Sequence, residues 1–213
     1  MMIKRIACLL CGLALALAPG MSPVRAETVA PSNPDDAVAL TLLSALGNRV
    51  PIIVETLAEP ALLRDLAGDF GGPGIAFTHL ALLDLDRDGQ RELALRFPLS
   101  EYEPCYWILD VQNGAVYGYE VVSRGMLDLK ADGSFTYSSG AMDNGVGLMA
   151  LNRGVRDILP LTWVEPKGDG AAWFVDGKPA SEQAFFDASQ SQGRKEDARW
   201  LPYPEELLGV LFP

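Results

Sequence analysis

The chain is short of the residues that catalytic sites and disulfide-built domains depend on. It has one histidine, His79, and three cysteines, of which Cys8 and Cys11 lie in the apolar N-terminal stretch. Without that stretch Cys105 stands alone, and no intramolecular disulfide can form. His79 is the sole base open to a Ser-His-Asp or Cys-His system, yet no serine sits in a nucleophile-elbow setting. No glycine-rich turn follows a strand and opens a helix, so a phosphate cradle is also missing. His79 is therefore expected to be a structural strand residue. Cys105, beside Tyr106 and Trp107 with no basic neighbour in sequence, is expected to serve packing.

Long apolar runs are missing as well. Residues 6–17 form an unbroken apolar run of 12 residues, where a bilayer-spanning helix needs about 20. Lys4 and Arg5 precede that run; Pro19, Gly20 and Pro23 follow it, and Val24-Arg25-Ala26 places small residues where a signal peptidase reads. An earlier cut after Ala18 would leave Pro19 next to the scissile bond. The expected organisation is a signal peptide over residues 1–26, a mobile leader over 27–33, and one domain over 34–213. Cys11 follows Leu10 and lacks the preceding small residue that lipidation requires, and Cys8 stands only two residues into the apolar run. A periplasmic or secreted location follows, with no membrane insertion after cleavage.

Positive charge is scarce. Seventeen basic residues face 28 acidic ones for a net charge of −11. Cleavage would remove three basic residues and no acid, deepening this to −14 over the remaining 187 residues. Such a polyanion repels nucleic acid and anionic lipid and attracts cations. The length suits a single core.

What is present reads as helices, then strands, then a late helix. Asn33 is an N-cap candidate, with Pro34 at the first helical position and Asp35 and Asp36 in the first turn. Ala39, Leu42, Leu43 and Leu46 recur at helical spacing until Gly47. Residues 50–57 fit helix or strand, and residues 60–67 read as a short helix ended by Gly68. From residue 75 apolar runs alternate with Asp88-Gly89, Asn113-Gly114, Asp132-Gly133, Asn144-Gly145, Asp169-Gly170 and Asp176-Gly177, dipeptides that favour tight hairpins. Residues 105–111 with 115–122, and 126–130 with 134–138, are the clearest pairs. Strands at 173–175 and 198–201 should flank a helix over 182–189 capped by Ser181, and residues 204–210 read as a last short helix. The expected class is α+β: N-terminal helices followed by an antiparallel β-meander over 75–164, with a late helix.

The strongest local signal is Asp84-Leu85-Asp86-Arg87-Asp88-Gly89-Gln90-Arg91-Glu92. Calcium takes six to eight oxygens, and carboxylates at 84, 86 and 88 converge if the backbone curls round the ion. Gly89 permits the sharp turn. The carbonyl of Gln90 and the carboxylate of Glu92 would close the shell, with Arg87 and Arg91 pointing outward. The all-oxygen set disfavours zinc and copper. An EF-hand needs a bidentate Glu at the twelfth position, which here is Leu95. Apolar residues at 80, 82 and 83 lead in and at 93, 95 and 97 lead out, so strands carry the loop.

These nine residues resemble the strand-borne calcium loops of integrin-type FG-GAP and related bacterial repeats, Asp-x-Asp-x-Asp-Gly-x-x-Asp/Glu. The motif occurs once, so no repeat propeller is implied. More broadly, residues 83–93, the hairpin start at 106–114 and the turn at 175–182 are similar in running order to a group of extracytoplasmic bacterial domains. That likeness implies a fold and carries no activity over.

The remaining candidates are diffuse. Glu101, Glu103, Asp110, Asp128 and Asp143 could supply a carboxylate pair for glycoside hydrolysis, but acids are too abundant for sequence to choose among them. Tyr102, Tyr106, Trp107, Tyr117 and Tyr119 cluster on one hairpin, with Tyr137, Trp163, Trp173, Trp200 and Tyr203 beyond. Sharing an exposed face, they would stack on sugar rings or clasp a peptide; alternating along strands, they fill the core. The expected function is an exported, non-enzymatic binding or accessory module with one structural calcium. Its ligand would be an envelope protein or a glycan. A cell-wall or glycan hydrolase is the alternative.

Overall fold

A computed structural model describes residues 34–68, 77–98, 104–122, 124–140 and 143–203. The expected signal peptide, leader, Asn33 cap, Tyr102 and the helix at 204–210 lie outside the described residues. Two sheets dominate. The first runs in the order β1-β5-β4-β3-β2-β11, from β1 (Ile52–Ile53), β2 (His79–Leu83), β3 (Glu92–Pro98), β4 (Pro104–Gln112), β5 (Ala115–Val121) and β11 (Leu201–Pro202). The second runs β10-β9-β8-β7-β6, from β6 (Phe135–Gly140), β7 (Asp143–Asn152), β8 (Val155–Lys167), β9 (Gly170–Val175) and β10 (Lys178–Ala180). Three helices are described: α1 (Pro34–Leu46), α2 (Leu63–Gly68) and α3 (Glu182–Gly193).

This overturns the α+β expectation. Among the described residues eleven strands in two sheets stand against three helices, so the protein is mainly β and the helices are covers on its sheets. Two physical causes explain the error. Residues 60–62 do not join a helix, because Ala61 exchanges both main-chain hydrogen bonds with Ile52 at 2.8 and 2.9 Å, leaving α2 only six residues. The expected single meander also breaks after β5, where the chain crosses to build the second sheet.

Layering explains the sequence texture. On β3 and β4, Leu93, Leu95, Phe97, Cys105, Trp107 and Leu109 face one way and pack with Leu42, Ala45 and Leu46 of α1 and Leu63 and Leu66 of α2. The alternate residues Ala94, Tyr106 and Ile108 face the second sheet, meeting Phe135, Met149 and Leu151. Both faces of β4 are buried, so it reads as a continuous apolar run rather than an alternation. Cys105 is fully buried in the first of these cores. α3 covers the far face of the second sheet with Phe185, which packs on Trp173 at 4.8 Å. Its start follows from Ser181, whose hydroxyl accepts the Ala184 N–H at 3.1 Å.

Local turns follow the sequence with three exceptions, the first being Asp169-Gly170, where the β8–β9 hairpin turns on Gly168-Asp169 and Gly170 opens β9. Asn113-Gly114 and Asp176-Gly177 adopt positive φ and close hairpins. Asn144-Gly145, by contrast, lies inside β7 and pairs with β6 and β8. The turn joining β7 to β8 is Arg153-Gly154, with φ of 47° and 94°. Arg153 is held there by the side-chain Oε1 of Gln112, which accepts its N–H at 3.0 Å.

Candidate metal centre

The acidic loop joins β2 to β3 at one end of the first sheet. Carboxylate oxygens of Asp84, Asp86 and Asp88 all lie within 4.8 Å of one another, so the three expected ligands converge and can hold a metal ion. The backbone curls because the carboxylates grip it. Asp86 Oδ1 accepts the Asp88 N–H at 3.1 Å, Asp84 Oδ2 the Gly89 N–H at 3.1 Å, and Asp88 Oδ1 the Gln90 N–H at 2.7 Å. Gly89 takes φ +91° at the tightest point. Each carboxylate thus spends an oxygen on the loop and keeps its second oxygen for another partner.

Glu92 enters from beneath. It is 0% exposed, sits on the inter-sheet side of β3, and accepts the Leu85 N–H on Oε2 at 2.6 Å. Its Oε1 is buried without a hydrogen-bond partner, as is Oδ1 of Asp84. An unpartnered buried carboxylate oxygen is costly unless a cation or proton satisfies it. Burial pushes the Glu92 carboxyl up to about 9; the Leu85 N–H opposes this, and the charges of Asp86, Asp110 and Asp88 add to it. Burial also raises the Asp86 carboxyl, with Asp88, Asp110 and Asp84 contributing repulsion.

Gln90 and the two arginines are placed less simply. The Gln90 side chain leaves the loop and donates to Asp110 Oδ1 at 3.1 Å and to the Val111 carbonyl at 2.8 Å. Arg87, at φ +64°, points outward as expected and reaches Asp132. Arg91 does not: one guanidinium nitrogen is buried without a hydrogen-bond partner, and the residue lines a small cavity with Val38, Ala39 and Leu42 of α1.

Asp110 is the member of this cluster that sequence did not single out. It is 2% exposed, and it lies one step beyond the Leu93–Leu109 pair of β3 and β4, opposite Glu92. Burial raises its carboxyl, and the charge of Asp88 adds to that, against hydrogen bonds from Gln112, Val111 and Gln90. The available signal was a lone acid at the inter-sheet phase of an otherwise apolar strand. Buried acids without a basic partner mark sites.

His79 lies on β2 opposite Arg96 and Pro202, with Nδ1 buried and unpartnered. Among the described aromatics, Tyr106, Trp107 and Tyr119 are buried, as core filling requires. Others line a second surface. Tyr137, Gly145, Trp163 and Phe174 stand in register across β6, β7, β8 and β9. Trp163 and Phe174 stack with ring centroids 4.6 Å apart and planes 4° apart, and the indole N–H donates to Glu165 at 2.8 Å. Gly145 keeps the floor bare, because a Cβ there would lie 1.9 Å from the Thr162 carbonyl oxygen. The result is an open trough walled by Tyr137, Pro160 and Trp163, with Ser139, Asp143 and Glu165 supplying polar groups.

Among the described residues no helix is long and apolar enough to cross a membrane. No family model, curated protein or solved structure matches the chain. What the fold and site define is a mainly β protein of two sheets, with an acidic loop able to hold a metal ion.

Proposed function

We propose that this chain is an exported binding or accessory module with one structural calcium ion in the 84–92 loop. The observation that carries the reading is Glu92: a fully buried carboxylate with one oxygen unpaired, behind three convergent aspartates. Calcium is favoured because every donor is a hard oxygen and the set is more acidic than magnesium, with its retained waters, requires. Asp84, Asp86, Asp88, the Gln90 carbonyl and Glu92 are the proposed ligands, and the likeness to strand-borne calcium loops supports the choice. Export rests on the character of residues 1–26. The test is a calorimetric calcium titration of residues 27–213. One site per chain, lost in Asp86→Ala, supports the proposal; no heat of binding at millimolar calcium refutes it.

The trough on the second sheet is the proposed ligand face. Flat aromatic walls beside carboxylates suit the apolar faces and hydroxyl edges of sugar rings. Capture of envelope glycan by the wild-type domain, lost in Trp163→Ala, would support this. A hydrolase is the second reading, favoured by one observation: Asp143 and Glu165 both border the trough beside aromatics. Glycan release by the wild type, abolished separately by Asp143→Asn and Glu165→Gln, would establish it over the binding module.

A further inference from the structure

The acidic loop belongs to the first sheet, yet the hydrogen-bond chains that begin at its Arg87 and Gln90 side chains run on to the second sheet and its helix. We infer that cation binding is coupled to the docking of the second sheet on the first, through two hydrogen-bonded struts. The inference rests on the cation reading of the loop and adds a consequence to it.

The first strut begins at Arg87, between two of the gripping aspartates. Its guanidinium donates to the Asp132 carboxylate at 3.2 Å and to the Asp132 carbonyl at 3.3 and 3.4 Å. Asp132 also pairs with Lys195 at 3.0 Å and accepts both the N–H and the hydroxyl of Ser134. Ser134 is 0% exposed; its hydroxyl lies 3.0 Å from Gln192 Oε1 of α3 and accepts from Lys195 at 2.8 Å. The 131–134 turn that leads into β6 also lies flush on the loop. Gly133 has φ +80°, and a Cβ there would sit 2.4 Å from the Asp84 carbonyl oxygen.

The second strut begins at Gln90, whose N–H is held by Asp88. Its amide reaches Asp110, whose other oxygen accepts from Gln112 at 2.6 Å. The Gln112 amide crosses to the Leu151 carbonyl at 3.3 Å, and its oxygen accepts the Arg153 N–H at 3.0 Å. Leu151 and Arg153 belong to the β7–β8 hairpin of the second sheet.

With the cation gone, three carboxylates within 4.8 Å repel one another and loosen the hydrogen-bonded curl that they hold. Arg87 and Gln90 take their directions from that curl, so both struts lose their anchor together. The cation then acts on contacts it never touches, because it stabilises the one loop geometry that sustains them. Coupling of this kind is reciprocal: a docked second sheet must tighten cation binding by the same factor.

The test is amide hydrogen exchange on residues 27–213 with calcium or with chelator, alongside a calcium isotherm. Removing calcium should speed exchange at least tenfold at 131–136 and 150–156, as well as in the loop, while β9 and β10 change little. Asp132→Asn should lose the calcium-dependent protection at 131–136, and Gln112→Leu that at 150–156. Each variant should still bind one calcium, with affinity weakened by a factor matching its lost protection. Calcium that binds with one-site stoichiometry but protects only residues 84–92 would overturn the coupling and leave the metal site standing. An isotherm with no binding would overturn both.

Discussion

Replacing Glu92 by Gln separates a metal ligand from an ordinary internal hydrogen-bond acceptor. The side chain is 0% exposed, and its carboxyl is pushed from 4.5 up to about 9 by burial and by neighbouring acids. A carboxyl whose folded value exceeds its unfolded value binds its proton more tightly when folded. Its contribution is complete below about pH 4.5 and is lost as pH rises through about 9. At pH 7 without metal, folding must take up a proton that the unfolded chain has released. The cost is about 3 kcal/mol at ~1.4 kcal/mol per pH unit. Glutamine keeps an oxygen for the Leu85 N–H and carries no charge. In chelator at pH 7, Glu92→Gln should therefore be more stable than wild type by roughly 1–3 kcal/mol, and its stability should vary less between pH 5 and 9. In calcium the order reverses, because the metal takes the place of the proton on wild-type Glu92 and finds no charge on Gln. Urea unfolding at pH 5, 7 and 9, in calcium and in chelator, reads all of this. A variant less stable than wild type in chelator at pH 7, with an undiminished calcium response, would refute the reasoning.

Other outcomes follow from the same structure. Gly133→Ala adds a Cβ at positive φ, 2.4 Å from the Asp84 carbonyl oxygen; it should cost about 2 kcal/mol or more and weaken calcium binding, read by melting and calorimetry. His79→Gln should leave ligand capture unchanged, since His79 sits on β2 among strand partners; capture lost from a folded variant would return His79 to the candidate catalytic residues. Protein recovered from the cell envelope should begin at Glu27, and N-terminal sequencing that finds Met1 would contradict export.

The loop was legible because its chemistry is local. Alternating aspartates, one glycine and a glutamate at the ninth position encode a curl that needs no distant partner. Hairpins were legible for the same reason wherever Asn-Gly or Asp-Gly supplied positive φ. Arg153-Gly154 escaped because arginine rarely adopts φ of 47°, and the side-chain oxygen that accepts its N–H belongs to Gln112, 41 residues away. Asn144-Gly145 misled because its glycine answers a crowding carbonyl on β8 rather than a turn. Asp110 and the split into two sheets depend on strand register and on which face each strand buries. Those are properties of pairing, and no nine-residue window contains them. The helical segments suggested α+β because their periodicity is real, while the extended residues 60–62 are fixed only by Ile52.

The central claim is that calcium holds the 84–92 loop closed. The most direct measurement is the thermal midpoint of residues 27–213 in millimolar calcium, in magnesium and in chelator. A ligand at a hundredfold excess over Kd stabilises the folded state by about 2.7 kcal/mol, which for a domain of this size is roughly 5–10 °C. The account predicts a rise of that order in calcium, a smaller one in magnesium, and loss of most of the calcium rise in Asp86→Ala with little change in its chelator midpoint. Superimposable melting curves in calcium and chelator would contradict it.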